Sequence, residues 1–88
     1  MPRYLIERVV GVLTQDELEA AAQRSLAAID QMEGVVWIKS HISEAEGKIY
    51  CEYDAPNVEA IMEHARLAGI PADKVSLIKL EINPDMFR

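Results

Sequence analysis

The stretch "VVWIKSHISEAEGKIYCEYD", residues 35–54, decides the fold because it holds two apolar runs around a short polar loop. The runs cover 35–43 and 48–54, and both are rich in the β-branched and aromatic residues that favour strands. The four-residue loop "EAEG" between them ends in glycine and is short enough for a hairpin. We therefore predict two adjacent antiparallel strands in the middle of the chain.

A helix is predicted on each side of this hairpin. Before it, the segment 14–33 has apolar residues at three- and four-residue steps, and Thr14 with Glu17 makes a capping box. After it, a second helix is expected over 56–68, because Gly69 is a frequent left-handed helix stop.

The remaining apolar runs, residues 3–10 and 74–82, predict a first and a last strand. The resulting order βαββαβ is that of the ferredoxin-like α+β fold. In that fold a four-stranded antiparallel sheet carries both helices on one face. We expect residues 1–88 to form one such domain, since a chain of this length has room for one core.

Composition narrows the classes of function. The 88 residues carry a net charge of -6, which disfavours a phosphate backbone, so no nucleic-acid partner is expected. No stretch is long and apolar enough to cross a membrane, and no signal peptide is recognised. One cysteine cannot form an intrachain disulfide, so nothing requires an oxidising compartment. A cytoplasmic location is predicted.

Side-chain alternation predicts a sheet face without helices, here called the open face, on which apolar side chains alternate with charged ones. Leu5, Glu7 and Val9 are expected on the opposite, helix-covered side. A monomer rarely exposes so much apolar area. The sequence therefore predicts a homodimer that pairs two open faces, of the dimeric α/β-barrel type, with a monomer carrying a solvated sheet as the alternative. The expected members of the open face are Tyr4, Ile6, Arg8, Trp37, Lys39, His41, Tyr50, Glu52, Leu77, Lys79 and Glu81.

Cys51 and the histidines are the candidates for chemistry. Cys51 is expected to be buried among apolar neighbours, with no lysine or arginine placed to activate its thiol. A nucleophilic Cys–His pair would require His64 within hydrogen-bonding distance. His64 is alternatively the partner of a buried Glu7, or a metal ligand beside it. No catalytic or cofactor-binding residue is assigned.

A metal site is the other possibility. His41 lies next to Glu52 across the predicted hairpin, and imidazole with carboxylate suits nickel, zinc or cobalt. Two-fold symmetry would double these ligands, whereas the simpler alternative is a solvated histidine. The candidate metal ligands are His41, His64, Glu7 and Glu52.

Three segments, "YLIER" at 4–8, "VVWIKSHIS" at 35–43 and "KIYCEYDAPNVEAIMEHARLAGIPADKV" at 48–75, carry a family resemblance. The chain resembles a small bacterial family of unassigned domain function whose named members are nickel-responsive, nickel-binding proteins of actinomycetes. The resemblance implies a ferredoxin-like dimer with a capacity for nickel or a similar divalent ion. Such proteins usually have tyrosine at the position of His41, so a site using His41 would be particular to this chain.

These observations favour a non-enzymatic divalent-metal-binding or metal-responsive protein, with nickel as the first candidate and zinc or cobalt as others. The alternatives are a small dimeric α/β-barrel enzyme of the monooxygenase or isomerase type, and a dimer that binds a small molecule. Because one fold hosts many functions, the fold cannot separate these possibilities.

Overall fold

The structure, a computed structural model, describes all 88 residues and has the predicted element order. Four antiparallel strands form one sheet in the order β2-β3-β1-β4, and the helices lie between the first and second and between the third and fourth strands along the chain. This is the ferredoxin-like α+β arrangement, so the predicted fold is confirmed. The elements are β1 (Arg3–Val9), α1 (Gln15–Asp30), β2 (Val36–Ser43), β3 (Lys48–Asp54), α2 (Val58–Ala68), β4 (Lys74–Ile78) and a 3-10 turn (Pro84–Phe87).

Both helices begin and end where local chemistry favours it. The Thr14 hydroxyl accepts a hydrogen bond from the Glu17 amide, and the Glu17 carboxylate accepts one from the Thr14 amide, which completes the predicted capping box. Helix α2 is capped by Asn57 and ends at Gly69, whose φ of 66° is left-handed. The helix therefore begins two residues later than predicted, after its asparagine cap.

The last strand is shorter than predicted. It ends at Ile78, which lies opposite Arg3, the first residue of β1. Beyond this pair β1 has no residue left to pair with, so the predicted continuation to residue 82 is wrong. The segment 79–83 leaves the sheet, and its side chains are exposed.

The predicted faces of β1 are wrong. Tyr4, Ile6 and Arg8 are buried under the helices, whereas Leu5 and Glu7 lie on the open face. The register explains this, because Tyr4 lies opposite Tyr53 and Ile6 opposite Cys51, both of which are core residues. The strand carries apolar residues in both alternating sets, so hydropathy alone favoured the wrong set.

The predicted faces of β2 are half right. A β-bulge between Trp37 and Lys39 inserts one residue, so Trp37 lies opposite Tyr53 on the helix-covered side. Downstream of the bulge, Lys39 and His41 face the open side as predicted. Leu77 of β4 was also misassigned, because it lies opposite the buried Tyr4.

Ion pairs cover much of the open face. Lys39 lies 3.6 Å from Glu52, and Arg3 lies 2.9 Å from Asp54. Lys79 and Glu81, expected within the sheet, lie beyond the end of β4. The register turns Tyr4, Ile6, Trp37 and Leu77 to the other side of the sheet. In exchange it brings Leu5, Val36 and Ile78 onto the open face. The open face therefore still mixes apolar and charged side chains, although several of its members differ from those predicted, and the dimer stays a prediction.

No helix of the structure is both long enough and apolar enough to span a membrane.

Candidate functional site

A cavity of about 670 Å³ lies between α1 and the helix-covered side of the sheet. It exists because the N-terminal part of α1 presents alanines toward the strands, and only Ser25 and Ala28 of that helix are buried. Small side chains leave the space between helix and sheet unfilled. Apolar walls come from Leu13, Leu18, Ala21, Trp37, Ile42 and Ile49.

A chain of hydrogen bonds crosses the sheet at this cavity. The Trp37 indole donates to the Ser40 hydroxyl at 2.9 Å, and that hydroxyl donates to the Cys51 sulfur at 3.0 Å. Arg8 Nε donates to the same sulfur at 3.4 Å. The expectation that no arginine lies near Cys51 is therefore wrong, because the register of β1 opposite β3 turns Arg8 inward. Cys51 is nevertheless buried, as predicted.

Arg8 is the least expected of these residues. Its side chain is only 1% exposed, and its guanidinium lies 5.7 Å from the centre of the Tyr53 ring. Nη1 donates to the Pro71 carbonyl at 2.8 Å, whereas Nη2 has no hydrogen-bond partner. None of the ion pairs in the chain involves Arg8. Burying a cation without a carboxylate partner costs free energy of folding. Packing alone therefore does not explain an arginine at this position.

His64 and Tyr53 lie beside this cluster, with ring centres 5.0 Å apart. His64 Nε2 lies 3.1 Å from the Ser25 carbonyl oxygen, and Nδ1 has no partner. Burial lowers the pKa of His64, against the opposing effect of the Ser25 carbonyl, while the charge of Arg8 adds to the lowering. Burial likewise raises the pKa of Tyr53 to about 12. Both rings are therefore held neutral.

The sheet separates the four candidate metal ligands into two groups. His41 and Glu7 both lie opposite Tyr50, from strands on either side of it, and Glu52 follows Tyr50 by two residues. These three share the open face. His64 lies on the other side of the sheet, so the proposed pairing of His64 with Glu7 does not form.

The carboxylates of this open-face group have lysine partners. Glu7 lies 3.6 Å from Lys48 and 3.8 Å from Lys74. Within one chain, no three His, Cys, Asp or Glu side chains come together in a group that could hold a metal ion. The structure thus brings three candidate ligands to one face without closing a coordination shell.

The sequence did contain a signal for the residues that were missed. Arg8 follows Tyr4 and Ile6 at two-residue steps, so if those two are core residues Arg8 must point inward as well. Trp37 could not be found in this way, because the bulge breaks the period of the strand.

Comparison with known proteins agrees with the fold. No curated protein matches the chain. Among solved structures, the crystal structure of SCO4226 from Streptomyces coelicolor A3(2) superposes with a TM-score of 0.80 and 28% sequence identity, covering 91% of this chain and 99% of that one. The sequence profile described as "Nickel responsive protein SCO4226-like" matches residues 4–78. The chain therefore belongs to the SCO4226-like family of nickel-responsive proteins.

Proposed function

We propose that this protein is a non-enzymatic, nickel-responsive homodimer that binds a divalent transition-metal ion on the open face of its sheet. The observation that carries the proposal is the shared face of His41, Glu7 and Glu52 on three adjacent strands. The family to which the chain belongs is named for a response to nickel.

The donor set suits such an ion, with nickel first and zinc or cobalt as alternatives. Neutral imidazole is a preferred nitrogen ligand for these metals, and carboxylates add oxygen ligands. The lysines beside Glu7 and Glu52 already neutralise these carboxylates, so a divalent cation has to compete with ammonium groups for them. We therefore propose an open, exchangeable site of moderate affinity, in which water completes the shell and on which folding does not depend.

A second copy of the chain completes the proposed site. One chain offers a single imidazole on this face, and pairing two open faces about a two-fold axis doubles the histidine and the carboxylates. The C-terminal segment 79–88 supports self-association, because a run of its apolar side chains is exposed and a monomer rarely leaves such an area in water. These side chains are Leu80, Ile82, Met86 and Phe87.

A cytoplasmic location is part of the same proposal. The single cysteine is free, so the fold does not depend on an oxidising compartment.

Calorimetric titration with nickel, zinc and cobalt, combined with elemental analysis, tests the metal site. His41→Ala should abolish nickel binding or weaken it at least several-fold, and Glu52→Gln should weaken it. His64→Gln should leave it unchanged, because His64 lies across the sheet. Glu59→Gln, on the exposed side of α2, is the matched control for loss of one negative charge. If His41→Ala titrates as the parent protein does, the open-face site is wrong.

Light scattering of the metal-free and nickel-loaded protein tests the dimer. We expect twice the chain mass in the presence of nickel. A protein that binds nickel with the mass of one chain would refute the shared site.

A further inference from the structure

The cavity and its buried Arg8 take no part in metal binding on the opposite face of the sheet. We infer that this cavity binds a small organic acid, with its carboxylate on the Arg8 guanidinium and its hydrocarbon body against the apolar walls. This inference goes beyond the proposed metal function and is independent of it.

The first observation behind this inference is that the positive charge of Arg8 has no anionic partner. Two of its nitrogens donate to the Cys51 sulfur and the Pro71 carbonyl, neither of which is a carboxylate, and Nη2 has no hydrogen-bond partner. Sulfur is a weak acceptor and a carbonyl carries no net charge, so the cation remains uncompensated in a low-dielectric interior. A planar carboxylate is the anion that the guanidinium fork matches best.

The charges around the cavity point the same way. A second arginine, Arg24, lines it and donates through Nε to the Ala68 carbonyl. The one carboxylate in the lining, Glu17, already accepts the hydrogen bond of the α1 cap. The cavity therefore carries an excess of positive charge, although the chain as a whole has a net charge of -6.

The size and the apolar walls of the cavity determine which kind of anion it can bind. A volume of about 670 Å³ lies in the range of small-molecule sites. The Trp37 and Tyr53 rings are stacked, with centres 6.2 Å apart and planes within 6° of parallel. Such a surface favours an acid with a flat aromatic or aliphatic body over a small inorganic anion, which would leave the apolar walls uncovered.

Trp37 also supplies the measurement, since it is the only tryptophan of the chain and lines the cavity. We would titrate metal-free protein with phenylacetate, with its neutral analogue phenylacetamide and with inorganic phosphate, following tryptophan fluorescence. A saturable change is expected with phenylacetate. Binding of the amide and of phosphate should be about tenfold weaker or more, because a charge-assisted hydrogen bond is lost in the first and the apolar contact in the second.

Variants assign the carboxylate to Arg8. Arg8→Met should weaken phenylacetate binding about tenfold or more and leave phenylacetamide binding unchanged. Arg8→Lys should bind phenylacetate with an affinity between those of the parent and of Arg8→Met. Arg66→Met, which removes an exposed arginine on α2, is the matched control and should bind as the parent does. If Arg8→Met does not fold, the Arg8→Lys variant and the comparison of acid with amide carry the test.

Three results would overturn the inference. They are equal affinity for acid and amide, phosphate binding as tight as that of the acid, and no saturable change with phenylacetate. Because no metal is present in these titrations, failure here leaves the nickel proposal untouched. Failure of the nickel titrations likewise leaves the cavity site untouched.

Discussion

Trp37 lies on the opposite face of the sheet from the one that the sequence predicted, and this difference can be tested. Alternation along β2 predicted Trp37 in a dimer interface, where a charged replacement would split the dimer. The structure instead stacks its ring on Tyr53 and bonds its indole to Ser40, on the helix-covered side. Truncating Trp37 should therefore destabilise the fold of each chain and leave the association of chains unchanged.

The contacts give the magnitude. Trp37→Phe retains an aromatic ring and loses one hydrogen bond, at a net cost of about 1 kcal/mol. Trp37→Ala also loses the stacked pair and the packing. Truncation of a buried tryptophan costs about 3–5 kcal/mol, and half-burial reduces this to about 2 kcal/mol. For a domain of this size the melting temperature should fall by about 4–8 °C for each kcal/mol.

Urea unfolding followed by circular dichroism measures the stability, and light scattering measures the mass, at one fixed protein concentration. Val36→Ala is the neighbouring control, since Val36 is 44% exposed and its truncation should change stability by only about 0.5 kcal/mol. If Trp37→Ala were as stable as the parent and had half its mass, Trp37 would belong to an interface between chains. The observed bulge would then be refuted.

Other consequences concern the buried groups and the first helix. Cys51 should react slowly with a thiol reagent in the native protein and rapidly in urea, because its side chain is buried; rapid native labelling would contradict this. The lowered pKa of His64 means that the unfolded chain binds a proton more readily, so stability is full above pH 6.5 and is lost as the pH falls below it. His64→Gln should flatten this dependence in urea midpoints, and an unchanged slope would exclude His64 as its source. Thr14→Ala should cost about 1 kcal/mol by losing the cap of α1, whereas Thr14→Ser should cost little in the same urea assay.

The element order could be predicted from the sequence because its signals are local. The capping box at Thr14, the hairpin loop at 44–47 and the left-handed stop at Gly69 each act within a few residues. The end of β4 could not be predicted in this way. It depends on where β1 begins, since Ile78 is the last residue of β4 with a partner on that strand.

Which side chains share a face depends on register, which is not a local property. In β1 both alternating sets mix apolar and charged residues, since Arg3 and Glu7 belong to one set and Arg8 to the other. A shift of one residue exchanges the two faces completely. In β2 the extra residue of the bulge reverses the facing of the side chains before it and leaves those after it unchanged. The predicted face is therefore right for His41 and wrong for Trp37.

The two proposed sites are built from the same strands, and the two-residue period of a strand keeps them apart. Glu7 and Arg8 are neighbours in β1, yet one faces the open side with His41 and the other faces the cavity with Cys51. The open face thus offers anionic and imidazole ligands to a cation, and the cavity offers a cation to an anion. Neighbouring substitutions in one strand can therefore separate the proposals. Glu7→Gln should weaken nickel binding alone, and Arg8→Met should weaken phenylacetate binding alone. A loss of both ligands in either variant would indicate that β1 itself had been disturbed, because no side chain of that strand reaches both faces of the sheet.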